Sequence, residues 1–179
     1  SVITFSNITE VLKEKEQYKN KANHDNLTQA YNREYLNNNF ERLLGNAQRN
    51  NKNMGVLLFD IDNFKSINDS YGHNTGDMVL KSITNITIAS IRIQDVLIRW
   101  GGEEFVILVE VDNLMQLEKI TQTVRIRIEN YDFSPVPKVT ASFGITILNK
   151  NESLHDLIGR ADKGLYKAKN TGKNCVCSL

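Results

Sequence analysis

The stretch RWGGEEF (99–105) decides how this chain folds. Residues 96–98 on its left and 105–109 on its right are apolar and rich in β-branched side chains, which is typical of short strands. Glycine adopts the positive φ that a tight hairpin turn requires, so Gly101 and Gly102 indicate a two-residue turn between these strands. The stretch therefore predicts a β-hairpin with a glycine tip.

Two carboxylates, Glu103 and Glu104, follow the predicted turn directly. Like charges repel at a hairpin tip, so a bound divalent cation such as Mg²⁺ would explain the pair, and a solvated acidic turn is the simpler alternative. A second acidic group favours the cation. The apolar run MGVLLF (54–59), typical of a central buried strand, ends in Asp60 and, two residues on, Asp62. If the two strands are neighbours, Asp60 and Glu103 can share one metal ion.

The remaining apolar periodicity predicts alternating helices and strands. Helices are expected at 32–49, 78–91, 114–128 and 153–168, with further strands at about 138–147 and 174–178. The order strand, helix, strand, strand, helix, strand is the split βαβ pattern of ferredoxin-like folds, with an added helix and strand. We therefore expect an α+β fold with a central, mostly antiparallel sheet flanked by helices.

The composition limits the functions that the chain can have. Its 179 residues suit one domain plus an appendage, and an apolar fraction of 40% is enough for a packed core. The net charge of +1 gives no sign of a surface for nucleic acid or membranes. Cys175 and Cys177 are expected to be free thiols, and the scattered histidines disfavour a zinc site. No transmembrane run or signal peptide is present, so a cytoplasmic domain without direct membrane contact is expected.

Several motifs resemble the GGDEF-type diguanylate cyclase domains, here in a GGEEF variant. In chain order they are DNLTQAYNRE (25–34), DIDNFKSINDSYGHNTGD (60–77), RIQD (92–95), RWGGEEF (99–105), VTASFGI (139–145) and ADKGLYKAKNTGKN (161–174). The resemblance spans residues 24–179 and implies a fold similar to the palm of nucleotide cyclases. It also places Asp25 and Arg33 in a structural clasp between linker and domain. Upstream, ITFSNITE (3–10) is similar to the end of a PAS-type sensory domain, so residues 1–23 are interpreted as a sensor end with its signalling helix. A frayed leader is the alternative.

The resemblance implies an enzyme that condenses two GTP into cyclic di-GMP and two pyrophosphates across a homodimer, using Mg²⁺ or Mn²⁺. Its metal ligands correspond to Asp60, the Ile61 carbonyl, Glu103 and Glu104. Metal here would lower the pKa of the attacking 3′-hydroxyl and neutralise charge on the α-phosphate. Glu103 and Glu104 are the expected catalytic residues, with Glu103 as proton acceptor.

Phosphate contacts are expected from two parts of the chain. Asn63, Phe64 and Lys65 open a short helix after the buried strand, where free backbone N–H groups point at phosphates. The resemblance adds Lys169 and Lys173. The family usually has arginine where Lys173 stands, so a bidentate contact is lost while the charge is kept.

Three further assignments each have a structural alternative. Asn68 and Asp77 resemble the family's guanine-reading residues, and turn chemistry is the alternative. Asp62 is either a helix cap or a site residue. Arg92 and Asp95 match the inhibitory product site of the family, which implies inhibition by cyclic di-GMP. A weak surface ion pair is the alternative.

Two other functions remain open from the sequence. A catalytically silent module would bind GTP or cyclic di-GMP and signal by interaction, which the intact acidic and guanine-reading residues argue against. An enzyme that makes another cyclic dinucleotide is disfavoured by Asp77.

Overall fold

The computed structural model describes residues 22–179. The predicted sensor end and linker helix (1–23) therefore lie outside the described residues, apart from the last two. Between residues 22 and 179, none of the helices combines the length and apolarity that crossing a membrane requires.

The described part of the chain contains six strands and five main helices. In order they are β1 (Tyr31–Asn32), α1 (Arg33–Arg49), β2 (Asn53–Ile61), α2 (Phe64–Tyr71), α3 (His73–Ile88), β3 (Val96–Gly101), β4 (Glu104–Val111), α4 (Leu114–Glu129), β5 (Ala141–Ile147), α5 (Leu154–Asn170) and β6 (Val176–Ser178).

The strands form one sheet in the order β1-β3-β4-β2-β5-β6. The three central pairings, β3 with β4, β4 with β2 and β2 with β5, are antiparallel, and the two edge pairings are parallel. This confirms the predicted α+β fold with a mostly antiparallel sheet. It also confirms that the strand ending in Asp60 is the neighbour of the strand that follows the glycine pair.

Side chains of β2 alternate between two cores, one on each face of the sheet. Val56 and Leu58 pack with α1 and α5, whereas Leu57 and Phe59 pack with α2, α3 and α4. All four are at most 2% exposed, which explains why the sequence of β2 is an unbroken apolar run rather than an alternating one. The central strand is thus held from both sides, and its carboxyl end is a rigid platform.

Several boundaries differ from the predictions. The helix predicted at 78–91 begins earlier, at His73, because Gly72 with φ of 83° separates it from α2. Strand β5 begins only at Ala141, and β6 is limited to Val176–Ser178. Strand β1 was not predicted, because two residues are too short to show a periodicity.

The hairpin turn lies one residue later than predicted. Gly101 is the last residue of β3 and pairs with Glu104, so the turn consists of Gly102 and Glu103. Gly102 has the positive φ, 50°, that the turn requires. The strand register shifts between Arg99 and Gly101, which leaves Trp100 as the extra residue of a bulge. The shift matters for function, because it places Glu103 at the tip itself.

Candidate active site

An acidic cluster of Asp60, Glu103 and Glu104 forms where β2 and β4 end beside each other. Asp60 pairs directly with Glu104 in the sheet, and the backbone N–H of Ile61 donates to the carbonyl of Glu103 at 3.4 Å. Asp60 is only 7% exposed. The two acidic motifs that lie some 40 residues apart in the sequence are therefore brought together, as the sequence predicted.

Burial perturbs the acids of this cluster. It raises the pKa of Asp60, against the opposing hydrogen bond from Lys169, and Glu103 and Asp62 add to the increase. The pKa of Glu104 is also raised by burial and by the charge of Asp60. Crowded, partly desolvated carboxylates of this kind are favourable for binding a divalent cation.

The donor types fit a hard cation, because Mg²⁺ prefers carboxylate and carbonyl oxygens, which Asp60, Ile61, Glu103 and Glu104 would supply. Within residues 22–179 no three acidic, His or Cys side chains converge as a ready-made metal cluster. Instead, the Nζ atom of Lys169 lies 2.8 Å from Oδ2 of Asp60 and neutralises it. The positive charge at this position is therefore supplied by the chain itself.

Of the predicted phosphate contacts, all but Lys169 lie at the start of α2 or contact Asn63 there. Asn63 precedes this helix in a left-handed conformation with φ of 57° and makes no side-chain cap, so the first N–H groups of α2 receive no side-chain acceptor there. The Nζ atom of Lys173 donates to Oδ1 of Asn63 at 2.6 Å. Lys169 lies in the last turn of α5, on the other side of Asp60. Lys173 and Asn63 line one cavity, whereas Lys169 and Glu104 line another, and the side chains of Lys65 and Lys173 are exposed to solvent.

Asp62 does not cap α2, so that alternative is wrong. Its carboxylate is 5% exposed and accepts hydrogen bonds from the Thr140 and Ser142 hydroxyls, both at 2.7 Å. It also accepts from the backbone N–H of Asn174 at 3.0 Å. Asp62 therefore fastens the end of β2 to β5 and to the turn that follows α5.

The two predicted guanine-reading residues lie on neighbouring helices. Asn68 is half-buried on α2, and Asp77 is exposed near the start of α3. A Cβ added to Gly76 would stand 1.9 Å from Oδ1 of Asn68, so the Asn68 amide packs directly on α3 beside Asp77. Gly76 is a residue that sequence reasoning missed, and it permits this close approach.

Arg92 and Asp95 form a local turn rather than a side-chain ion pair. Oδ2 of Asp95 accepts the backbone N–H of Arg92 at 2.8 Å, while Arg92 itself is exposed. The other oxygen, Oδ1, is buried and has no hydrogen-bond partner among the described residues. Burial raises the pKa of Asp95. Both predicted residues of the inhibitory site thus lie together, with the Arg92 guanidinium turned to solvent.

The two clasp residues contact the hairpin separately. Asp25 accepts from Nη1 of Arg99 at 2.9 Å, and Arg99 also donates through Nη2 to the carbonyl of Gly102 at 2.7 Å. The guanidinium of Arg33 stacks on the Trp100 ring, 4.2 Å from its centroid. Arg99 was missed by sequence reasoning. It links the start of the domain to the turn that carries Glu103.

The family model described as "Diguanylate cyclase, GGDEF domain" matches residues 22–175. The chain belongs to this family. Diguanylate cyclase DgcM of Escherichia coli K12 is 36% identical over 173 residues, which are 94% of this chain and 41% of DgcM. The chain thus spans about two fifths of the length of this relative.

Solved structures of GGDEF domains agree with the fold. The active GGEEF domain of a diguanylate cyclase from Vibrio cholerae is 31% identical, with a TM-score of 0.75 over 82% of this chain and 96% of that one. The coiled coil and GGDEF domain of DgcB from Caulobacter crescentus, in complex with c-di-GMP, has a TM-score of 0.89 over 99% and 96% of the two chains. At 24% identity, the DgcB structure supports the fold alone.

The turn between α5 and β6 carries Lys173, one of the predicted phosphate contacts, and the sequence did not indicate how this turn is held. Gly172, Lys173 and Asn174 all have positive φ, and Asn174 is bound by side chains of α4 as well as by Asp62. The sequence signal is the pair Gly172 and Asn174, since both residue types tolerate the left-handed conformation.

Proposed function

We propose that this GGDEF domain is a diguanylate cyclase that joins two GTP molecules into cyclic di-GMP and releases two pyrophosphates. The observation that carries the proposal is that buried Asp60 lies beside the half-buried Glu103 and Glu104, with Lys169 paired to Asp60 and Lys173 bonded to Asn63 at the start of α2. Nucleotidyl transfer needs both features, because charge develops on the attacking oxygen and on the leaving phosphates.

Each transfer joins the 3′-oxygen of one GTP to the α-phosphorus of the other. The bond from that phosphorus to the β-phosphate is broken, pyrophosphate leaves with the bonding electrons, and Glu103 accepts the proton of the hydroxyl. Bound Mg²⁺ or Mn²⁺, held by Asp60, the Ile61 carbonyl, Glu103 and Glu104, would supply Lewis acidity at the α-phosphate. Glu103 suits the role of base because it lies in the turn of the hairpin, is only partly buried and stands next to the strand end that carries Asp60.

The lysines and the start of α2 bind the phosphates in this proposal. Lys169 leaves Asp60 when the nucleotide enters and pairs with phosphate instead, since an ammonium binds either anion. Lys173 contributes a point charge next to Asn63, Phe64 and Lys65. The N–H groups at the start of α2 add donors and the positive end of the helix dipole.

Guanine is selected in this proposal by Asn68 and Asp77. A carboxylate accepts hydrogen bonds from guanine N1 and N2, and adenine offers no such pair of donors. The amide of Asn68, held against Gly76, adds a donor and an acceptor of fixed position. Replacement of Asp77 by Asn would therefore weaken the preference for GTP over ATP.

The reaction requires two copies of the domain, because one domain binds one GTP and the product is symmetric. We therefore propose a homodimer in which two half-sites face each other about a two-fold axis. The chain spans about two fifths of DgcM, and an upstream PAS-like sensor in the full-length protein would control this encounter. The enzyme would act in the cytoplasm, where GTP is available.

Arg92 and Asp95 form the inhibitory site in this proposal. The exposed Arg92 guanidinium has the donor geometry that pairs with guanine O6 and N7. Asp95 is anchored by the backbone of Arg92, so the motif presents one arginine from a fixed turn. Cyclic di-GMP bound here would lower the rate of its own synthesis.

A silent GTP or cyclic di-GMP receptor is the second candidate. The observation that favours it is the pairing of Lys169 with Asp60, which occupies a metal ligand within the described residues. The two candidates differ in whether GTP is consumed.

The deciding experiment incubates the purified protein at high concentration with GTP and Mg²⁺ and separates the products by chromatography. Glu103→Gln removes the proton acceptor with little change of shape, and Glu118→Gln on the exposed face of α4 is the matched control. Cyclic di-GMP from the wild type and the Glu118 variant, but not from the Glu103 variant, would support the cyclase. Bound but unconverted GTP, even after fusion to a dimerising segment, would favour the receptor.

A further inference from the structure

The turn that presents Lys173 has an unusual backbone. Gly172, Lys173 and Asn174 have successive φ values of 113°, 62° and 46°. Glycine and asparagine tolerate this region, but a lysine there is strained, since its Cβ approaches the neighbouring carbonyl. Such a conformation persists only where surrounding contacts enforce it, and those contacts often belong to a functional site.

The contacts that enforce this turn converge on Asn174. Nη1 of Arg125 donates to Oδ1 of Asn174 at 2.9 Å, and Nδ2 of Asn174 donates to Oε1 of Glu129 at 2.9 Å. The backbone N–H of Asn174 donates to Oδ2 of Asp62 at 3.0 Å. Both ends of the amide and the main chain are thus held at once. We call Asp62, Arg125, Glu129 and Asn174 the Asn174 clamp.

The clamp is itself rigid. Arg125 and Glu129 are one turn apart on α4 and pair with each other at 2.8 Å, with side chains 16% and 26% exposed. The hydrogen bond from Arg125, with that from Asn174, holds the pKa of Glu129 below its usual value. Arg125 is also fixed through Nε, which donates to Gln122 at 2.8 Å. Glu129 is therefore held ionised at neutral pH, and the Arg125–Glu129 pair is fixed on both of its partners.

We propose that Arg125 and Glu129 are positioning residues that act through Asn174 to hold Lys173 against the phosphates of the substrate. The inference rests on the proposed function, because it assumes that Lys173 binds phosphate. Neither Arg125 nor Glu129 contacts the Lys173 ammonium group, which instead donates to Oδ1 of Asn63 at 2.6 Å. Positioning by neighbouring residues matters more for a lysine than for an arginine at this site, because an ammonium group lacks the planar, bidentate geometry with which a guanidinium orients itself on a phosphate.

A double-mutant cycle tests whether Arg125 acts through Lys173. The affinity of a non-hydrolysable GTP analogue with Mg²⁺ is measured by calorimetry for the wild type, Lys173→Met, Arg125→Met and the double variant. Loss of one charged hydrogen-bonding group weakens binding by about tenfold, which we expect for Lys173→Met. We expect Arg125→Met to weaken binding by about threefold to tenfold alone, but by less than about twofold when Lys173 is already Met.

Two controls separate positioning from general loss of structure. Arg160→Met breaks another partly buried pair, Arg160 with Glu152 at 2.6 Å, which lies away from the turn, so affinity for the analogue should not change. GMP lacks the distal phosphates, so Arg125→Met should change its affinity far less than that of the analogue. Glu129→Gln is a second clamp variant in case Arg125→Met does not fold, and it should weaken analogue binding in the same direction.

The outcomes are distinct. Non-additive losses confined to the triphosphate analogue support the clamp. Additive losses, equal losses for GMP, or unchanged binding in both clamp variants overturn it. If Lys173→Met leaves affinity unchanged while cyclic di-GMP is still formed, the cyclase stands and both the Lys173 assignment and the clamp are overturned. If no variant or wild type converts GTP but the cycle is non-additive, the clamp stands in a GTP receptor.

Discussion

Replacing Gly144 with Ala should severely destabilise the domain, because β5 and α5 approach each other here without room for a Cβ. A Cβ added to Gly144 would lie 1.9 Å from the carbonyl oxygen of Ala161 and 2.2 Å from the backbone nitrogen of Leu165. Both atoms belong to the backbone of α5, so no side-chain rotation relieves the clash. Gly164 faces Gly144 from α5, and a Cβ added to Gly164 would lie only 3.1 Å from the Cα of Gly144.

The size of the effect follows from the shift that the helix must make. Ordinary contact for a Cβ begins at about 3.4 Å, so α5 would have to move from β5 by about 1.5 Å. That movement opens the packing of Leu157, Ala161 and Leu165, all at most 2% exposed. Overpacking costs about 1–3 kcal/mol, and the opened core adds to it, so we expect a loss of about 3–5 kcal/mol.

Urea unfolding followed by circular dichroism measures this change, with Gly159→Ala as the matched control. Gly159 lies in the same helix with nothing within 4 Å of an added Cβ, so alanine there should stabilise by about 0.5–1 kcal/mol through helix propensity. A Gly144→Ala variant that loses less than about 1 kcal/mol at unchanged m value would refute the close-contact argument. A destabilised Gly159→Ala variant would show that helix propensity does not govern this exposed face.

Three further changes have defined outcomes. Lys169→Met should raise the affinity of the nucleotide-free protein for Mn²⁺ about tenfold, because the ammonium 2.8 Å from Asp60 no longer competes with the metal ion. Electron paramagnetic resonance of free Mn²⁺ measures this affinity, and an unchanged value would contradict the competition. Burial raises the pKa of Asp25, but hydrogen bonds from Arg99 and Thr28 outweigh it and the net pKa is lowered. The stability gained from this lowered pKa is present above the unfolded pKa of about 3.9 and is lost as pH falls. Asp25→Asn should therefore reduce the decrease of Tm at acidic pH, and an unchanged decrease would exclude the Asp25–Arg99 pair as its cause. Arg92→Ala should relieve inhibition by added cyclic di-GMP without abolishing turnover, and a rate still inhibited to the same extent would remove Arg92 from that site.

The sequence was sufficient for the central antiparallel strands and for the approach of the two acidic motifs, because their signals are local. The apolar run that ends in Asp60 and the glycine pair before Glu104 each show in fewer than ten residues. Strand pairing then brings the two carboxylates together without any further information. By contrast, the bulge at Trp100 moved the turn by one residue, since the bulge depends on pairing across the hairpin rather than on the glycines themselves.

The sequence was insufficient where a side chain acts over a long distance along the chain. Asp62 had a credible local role as a helix cap, but its partners are 78, 80 and 112 residues away. The bond from Arg125 to Asn174 spans 49 residues and has no periodic signature. Asparagine after glycine predicts a left-handed turn, but not which helix will hold it.

The alternation of side chains along β2 explains why a lysine side chain, rather than solvent, neutralises Asp60. Asp60 is an even number of residues from Val56 and Leu58, so its side chain lies on the face of the sheet that packs against α5. Glu104 pairs with Asp60 and shares this face. The glycine contact between β5 and α5 brings that helix close to the sheet, and Lys169 in its last turn therefore reaches the buried carboxylate. The same close packing thus places beside Asp60 the ammonium group that a divalent metal would displace in the proposed reaction.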